Sequence, residues 1–201
     1  MLLVPILLVA TILALFPTTS ASSDSTVLDW NIAIDGAPRV PSETYLSAQV
    51  QPNGNLEIAT ADGRAIVVPK RDKQSTFSTV RISPDRTAVG ATAEYQNCCT
   101  SYDIALQLFV YSQGKGHWFD GVKLAIFHWD LADAGRRVAF QQESVHSGCW
   151  KHYELRDIHT ERLIDSARTP LPCGQFGEPD LRPTSSPAWV KALEATPRTK
   201  E

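Results

Sequence analysis

Ile104, Leu106, Leu108 and Val110 fall on one face of an extended chain, and this period-two alternation recurs through most of the sequence. Leu56, Ile58 and Thr60 repeat it, as do Phe127, Trp129 and Leu131 between His128 and Asp130. Tyr153 and Leu155 do the same between His152, Glu154 and Arg156. A helix would scatter such residues around its circumference, so the pattern demands strands. Turn chemistry punctuates it at Pro52-Asn53-Gly54, Asp62-Gly63, Ser83-Pro84-Asp85-Arg86, Gln113-Gly114-Lys115-Gly116, Asp133-Ala134-Gly135-Arg136 and His159-Thr160-Glu161-Arg162. The expectation is an all-β protein of antiparallel sheets. Two long units are offset by about fifty residues, Pro84 against Asp133, which is the mark of a repeat architecture. A shorter unit precedes them from Tyr45.

The 201 residues suffice for one domain, and 43% hydrophobic with 20% charged residues is the make-up of a folded one. A formal net charge of -3, with Lys and Arg scattered, argues against nucleic acid and against a polybasic membrane surface. Met1 to Phe16 is uncharged and nearly all apolar, and Thr19 and Ala21 sit at the −3 and −1 positions before Ser22. Its sixteen residues would rise only about 24 Å as a helix, short of the ~30 Å hydrocarbon core. The reading is a signal peptide over 1–21, a β-repeat domain over 22–168 and a Pro-rich tail over 169–201. The mature chain is then secreted or periplasmic with no membrane span; the alternative is an uncleaved N-terminal anchor. In the tail, Ser186-Pro187 offers an N-cap and first helical residue for a short helix to about Ala195. Export makes Cys98, Cys99, Cys149 and Cys173 candidates for two disulfides, with three pairings open.

Ile82-Ser83-Pro84-Asp85-Arg86-Thr87-Ala88-Val89 and Leu131-Ala132-Asp133-Ala134-Gly135-Arg136-Arg137-Val138 resemble the S-P-D-G turn of a WD-repeat β-propeller blade. Leu155-Arg156-Asp157-Ile158-His159-Thr160-Glu161-Arg162-Leu163 resembles the W-D-x-x-T-G-K/R end of its third strand. Arg156 and Tyr111 stand where the signature Trp would be, and Asp85-Arg86 lacks the turn glycine. The resemblance covers Tyr45 to Asp165 and implies sheets arranged like propeller blades, in a small or incomplete ring or an open stack. It also implies a protein that binds partners. On this reading, loops 96–101 and 144–150 occupy corresponding places in neighbouring blades. Cys149 is then expected to join Cys98 or Cys99, and Cys173 the other.

Glu143, His146, Cys149 and His152 are the one group resembling a catalytic or metal site. Zinc would accept that donor set, but three-residue steps along a strand alternate faces, and an oxidised Cys149 could not bind it. A thiol enzyme needs Cys149 activated by a base that a third group orients, and no such group is evident. No metal, cofactor or catalytic residue is therefore assigned. The expected function is a non-catalytic binding or scaffold module that meets a protein or glycan through Asn97, Thr100, His146, Ser147 and Trp150. The alternative is a secreted hydrolase, or a thiol- or metal-dependent enzyme, built on the loop at 146–152. His117-Trp118-Phe119-Asp120-Gly121 reads as core packing rather than a ligand platform.

Overall fold

Every one of those turns joins two antiparallel strands in the structure, a computed structural model that describes residues 43–98, 101–120, 122, 124–145, 149–170 and 186–197. The first sheet holds β1 (Tyr45–Val50), β2 (Leu56–Thr60) and β3 (Ala65–Val68) in that order. The second is the meander β4 (Gln74–Ile82), β5 (Ala88–Gln96), β6 (Asp103–Ser112) and β7 (Lys115–Asp120). The third repeats it with β8 (Ala125–Ala132), β9 (Arg137–Glu143), β10 (Trp150–Asp157) and β11 (Leu163–Pro170). The protein is therefore all-β, with blade-like repeat units and, among the described residues, one short helix, α1 (Ala188–Ala195). Pro187, in extended backbone, is its N-cap in place of Ser186, so the helix starts one residue later than its sequence suggests.

The sheets stack face to face. Val89, Ala91 and Ala93 of β5 and Phe109 of β6 pack with Tyr45, Leu56 and Ile58 of the first sheet. Ala88, Leu108, Val110 and Phe119 pack the opposite way, against Ile126, Trp129, Leu131, Val138 and Phe140 of the third. The far face of the third sheet takes Trp189, Val190 and Leu193 of α1 onto Ala139, Tyr153 and Leu155. Two hydrogen bonds tie the helix down: Trp189 Nε1 donates to Asp165 at 2.8 Å and Tyr153 OH to Glu194 at 2.5 Å. Cover on both faces explains why Glu154, placed on a polar face by the alternation, is 2% exposed. It is compensated by Arg156 at 2.6 Å and His152 at 3.1 Å.

Small residues on β5 let the sheets approach. A Cβ on Gly90 would stand 2.5 Å from Trp129 Cη2 and Cζ3, so the indole rests directly on backbone. The blade turns bring the sheets together at one end, here the upper end. Within the Ser83-Pro84-Asp85-Arg86 turn, Ser83 Oγ accepts from Thr87 N and Ala88 N, and Arg86 takes the left-handed φ of 61° where the propeller motif has glycine. Arg86 O then accepts from Tyr45 N of the first sheet at 2.9 Å. Thr87 Oγ1 donates to Ala134 O of the third at 3.1 Å.

His117 of β7 joins the outer rims of the second and third sheets. Its ring is 2% exposed, its Nδ1 lies 3.1 Å from Glu161, and its edge meets His159 with centroids 5.9 Å apart. Burial pushes its pKa below 6.5; Glu161 opposes that shift, while Lys115 and His159 add to it. A folded-state pKa below the unfolded value gives stability that is complete above about pH 6.5 and is lost as the pH falls through the folded value, because the unfolded chain takes up a proton the buried ring refuses.

Two outcomes follow from this packing. Gly90→Ala gains at most about 1 kcal/mol of strand preference and suffers overpacking of about 1–3 kcal/mol, so it should lower stability in urea titrations. His117→Gln should flatten the loss of stability between about pH 7 and about pH 5, measured the same way; wild-type and variant slopes that coincide would show that His117 is not the group responsible.

Candidate functional site

Away from the clamped turns the second and third sheets part, and a cavity of about 410 Å³ opens between β4, β5 and β6 on one side and β8 on the other. β4 and β8 are edge strands, and each carries a bulge at the cavity. The β4–β5 register jumps between Ser78 and Arg81, with Thr79 at φ 47°; the β8–β9 register jumps between Ile126 and His128, leaving Phe127 as the extra residue. A third jump, at Ala93 and Glu94 of β5, leaves Leu106 of β6 without a cross-strand partner. Bulges bend a strand and re-aim its side chains. Thr79, Phe127 and Glu94 all line the cavity.

These bulges correct the period-two reading at two positions. Phe127 is 48% exposed instead of joining Trp129 and Leu131, and Ile126 takes the core place. Ala105 replaces Leu106 beside Leu108 and Val110.

The deeper part of the cleft is polar and mostly satisfied internally, with Arg81 Nε and Trp129 Nε1 buried and, among the described residues, without a hydrogen-bond partner. Arg81 stacks 5.5 Å from the Trp129 ring, pairs with Asp130 at 3.5 Å and donates to Pro197 O at 2.9 Å. Burial raises the Asp130 pKa, and the Arg81 charge opposes that rise. Glu94 accepts hydrogen bonds from Ser78 Oγ and Thr92 Oγ1, the latter at 3.2 Å. At the end of α1, Thr196 Oγ1 meets His128 Nε2 at 3.1 Å, so the helix terminus braces the same wall. Tyr102, Asp103 and Val145 complete the lining.

Tyr102 and Asp103 directly follow loop 96–101, and Val145 belongs to loop 144–150. Described residues at the ends of the two loops singled out from sequence thus line the cleft. Asn97 and Trp150 are half-buried at strand ends, Trp150 opposite Pro170. Thr100, His146, Ser147, Cys99 and Cys173 lie outside the described residues. Cys149 is disulfide-bonded, whereas Cys98 is a free, exposed thiol, so the pairing of Cys149 with Cys98 is not formed. His152 sits within β10 against Glu154, and Glu143 accepts from Gln141; among the described residues no three His, Cys, Asp or Glu side chains are grouped to hold a metal ion. Arg81 and Glu94 escaped the sequence reading, although each is the one charged residue of an otherwise uncharged strand. That oddity was the available signal.

The chain matches no protein-family model and no curated protein significantly.

The cysteine environments give a direct check. Maleimide added to the native, unreduced protein should label Cys98 and leave Cys149 unmodified until reductant is added, as read by peptide mass spectrometry. Labelling of Cys149 without reduction would contradict this geometry.

Proposed function

We propose that the protein is an exported, non-catalytic binding or scaffold module, a divergent relative of WD-repeat propellers, that receives a partner at the open end of its second and third sheets. The observation that carries this reading is the convergence of three strand irregularities on one cleft, beside the two loops with hydrogen-bonding and aromatic side chains. Repeat proteins commonly keep one end of the stack tight and vary the loops of the other for recognition. Tyr102 and Phe127, 56% and 48% exposed, offer aromatic anchor surface at the mouth. The bonded state of Cys149 supports a positional role for that sulfur, since thiolate chemistry requires it free. It also suits an oxidising compartment.

Because both anchors are exposed, Tyr102→Ala with Phe127→Ala should leave the fold intact. The double variant should lose the partner captured by the wild type from the exported fraction, by at least about tenfold in apparent affinity. Unchanged capture, or turnover of ester, peptide or glycoside substrates by the wild-type protein, would refute the reading.

A further inference from the structure

We propose that the outer edge of β1 receives residues 27–34 of the same chain as a fourth strand, an inference independent of the binding-module reading. Strand direction shows what the first sheet lacks. Tyr45 N meets Arg86 O at the clamped upper end, so β1 descends from there, as β5 and β9 do after their turns. β1, β2 and β3 therefore stand in the places of β5, β6 and β7, and of β9, β10 and β11. In those places the leading strand lies between two partners, β5 between β4 and β6, and β9 between β8 and β10. Among the described residues β1 pairs only with β2, and no strand stands beside it in the place of β4 and β8.

The chain preceding the described residues fits that place in length, direction and pattern. Val27-Leu28-Asp29-Trp30-Asn31-Ile32-Ala33-Ile34 is eight residues, against nine in β4 and eight in β8. Leu28, Trp30, Ile32 and Ile34 alternate with Asp29 and Asn31, giving one apolar and one polar face. The first sheet calls for that pattern, because it packs on the second by one face and leaves Leu46 and Val67 half exposed on the other. Asp35-Gly36 follows as a turn pair, and residues 35–44 then lead to Tyr45 at the upper end. A strand joined through that link runs antiparallel to β1, as β4 runs to β5. Its ten residues exceed the five that join β4 to β5 and the four that join β8 to β9, ample for strands about 4.8 Å apart.

The receiving position is apolar and incompletely covered. Val80 and Ile82 of β4, with Ala48 and Val50 of β1, belong to the core between the first two sheets yet are only partly buried. β1 lies against β4, so a strand added beyond β1 sets its apolar face over Val80 and Ile82. β1 carries no charge and no proline, the usual guards of an open edge, and its one blunting feature is the bulge at Leu46. β3 is an edge as well, but so are β7 and β11 in the same place, and β3 is four residues long and followed by Pro69. A strand from a second copy would use the same backbone groups of β1 without the advantage of a tether that ends beside it.

The test is hydrogen exchange read by NMR on the mature chain, at two protein concentrations about tenfold apart, with the variants Asn31→Pro and Ile32→Pro. In the wild type the amides of residues 28–34 should alternate, those facing β1 exchanging at least about tenfold more slowly than those facing solvent. Adjacent N–H groups point to opposite sides of a strand, so one proline removes a ladder bond and the other falls where an edge strand tolerates it. Only one variant should therefore speed exchange at the outward amides of β1, by about tenfold or more, with exchange in β5 and β9 unchanged. If either variant unfolds, the wild-type alternation alone decides. Uniformly fast exchange over 28–34 would overturn the proposal. So would protection of β1 that survives both prolines, or that rises with protein concentration as pairing with a second copy would make it. Equal effects of the two prolines would overturn it too, since they indicate apolar docking without a ladder.

Discussion

The second sheet is buried on both faces, and the rest of the architecture answers to that constraint. A sheet with two packed faces cannot hide its backbone behind large side chains on every strand, because neighbouring sheets lie only about 10 Å away. β5 meets the demand with Ala88, Val89, Gly90, Ala91 and Ala93, while bulk is supplied from opposite sides by Phe109 and Trp129. The seat of the Trp129 indole on Gly90 is one point of close approach, and Gly135 against Thr87 and Ala88 is another. Both contacts hold the second and third sheets close near their clamped turns.

The divergence leaves polar atoms facing one another across a gap, and the structure satisfies most of them from within the protein. Ser78, Thr92 and Glu94 bond among themselves, and Arg81 is held by Asp130 and by the chain just beyond α1. These contacts shape a cleft whose walls are set by the fold, so a guest need not order them on entry. The helix contributes twice over, covering the third sheet with Trp189 and Leu193 and bracing the cleft wall through Thr196.

Strand order and turn positions were legible because local chemistry specifies them: Asp62-Gly63 and Gln113-Gly114 can turn a hairpin wherever the chain later packs. The triple layering was less visible. A strand covered on both faces loses the inside–outside contrast that reveals its orientation, and Glu154, on the polar side of its alternation, is buried like its apolar neighbours. The cleft was nearly invisible for a different reason. Bulges at Phe127 and Leu106 shift the alternation by one residue, and period-two reading assumes that no such slip occurs. The flanking loops could be singled out from their polar, cysteine-bearing composition, but Arg81 and Glu94 acquire their roles only when β4 and β5 are set opposite β8.

A stack of layers touching only their neighbours has stability distributed as a series of interfaces rather than as one common core. The first sheet has three strands and a single packed face, with Leu46 and Val67 half exposed on its outside, whereas the third is enclosed between the second sheet and α1. Amide exchange should consequently be graded along the stack: fastest in β1 to β3, slowest in β5 and β9. Detachment of the first sheet would leave the second and third sheets paired around the cleft, so the layer least committed to folding is also the one whose loss touches the cleft least.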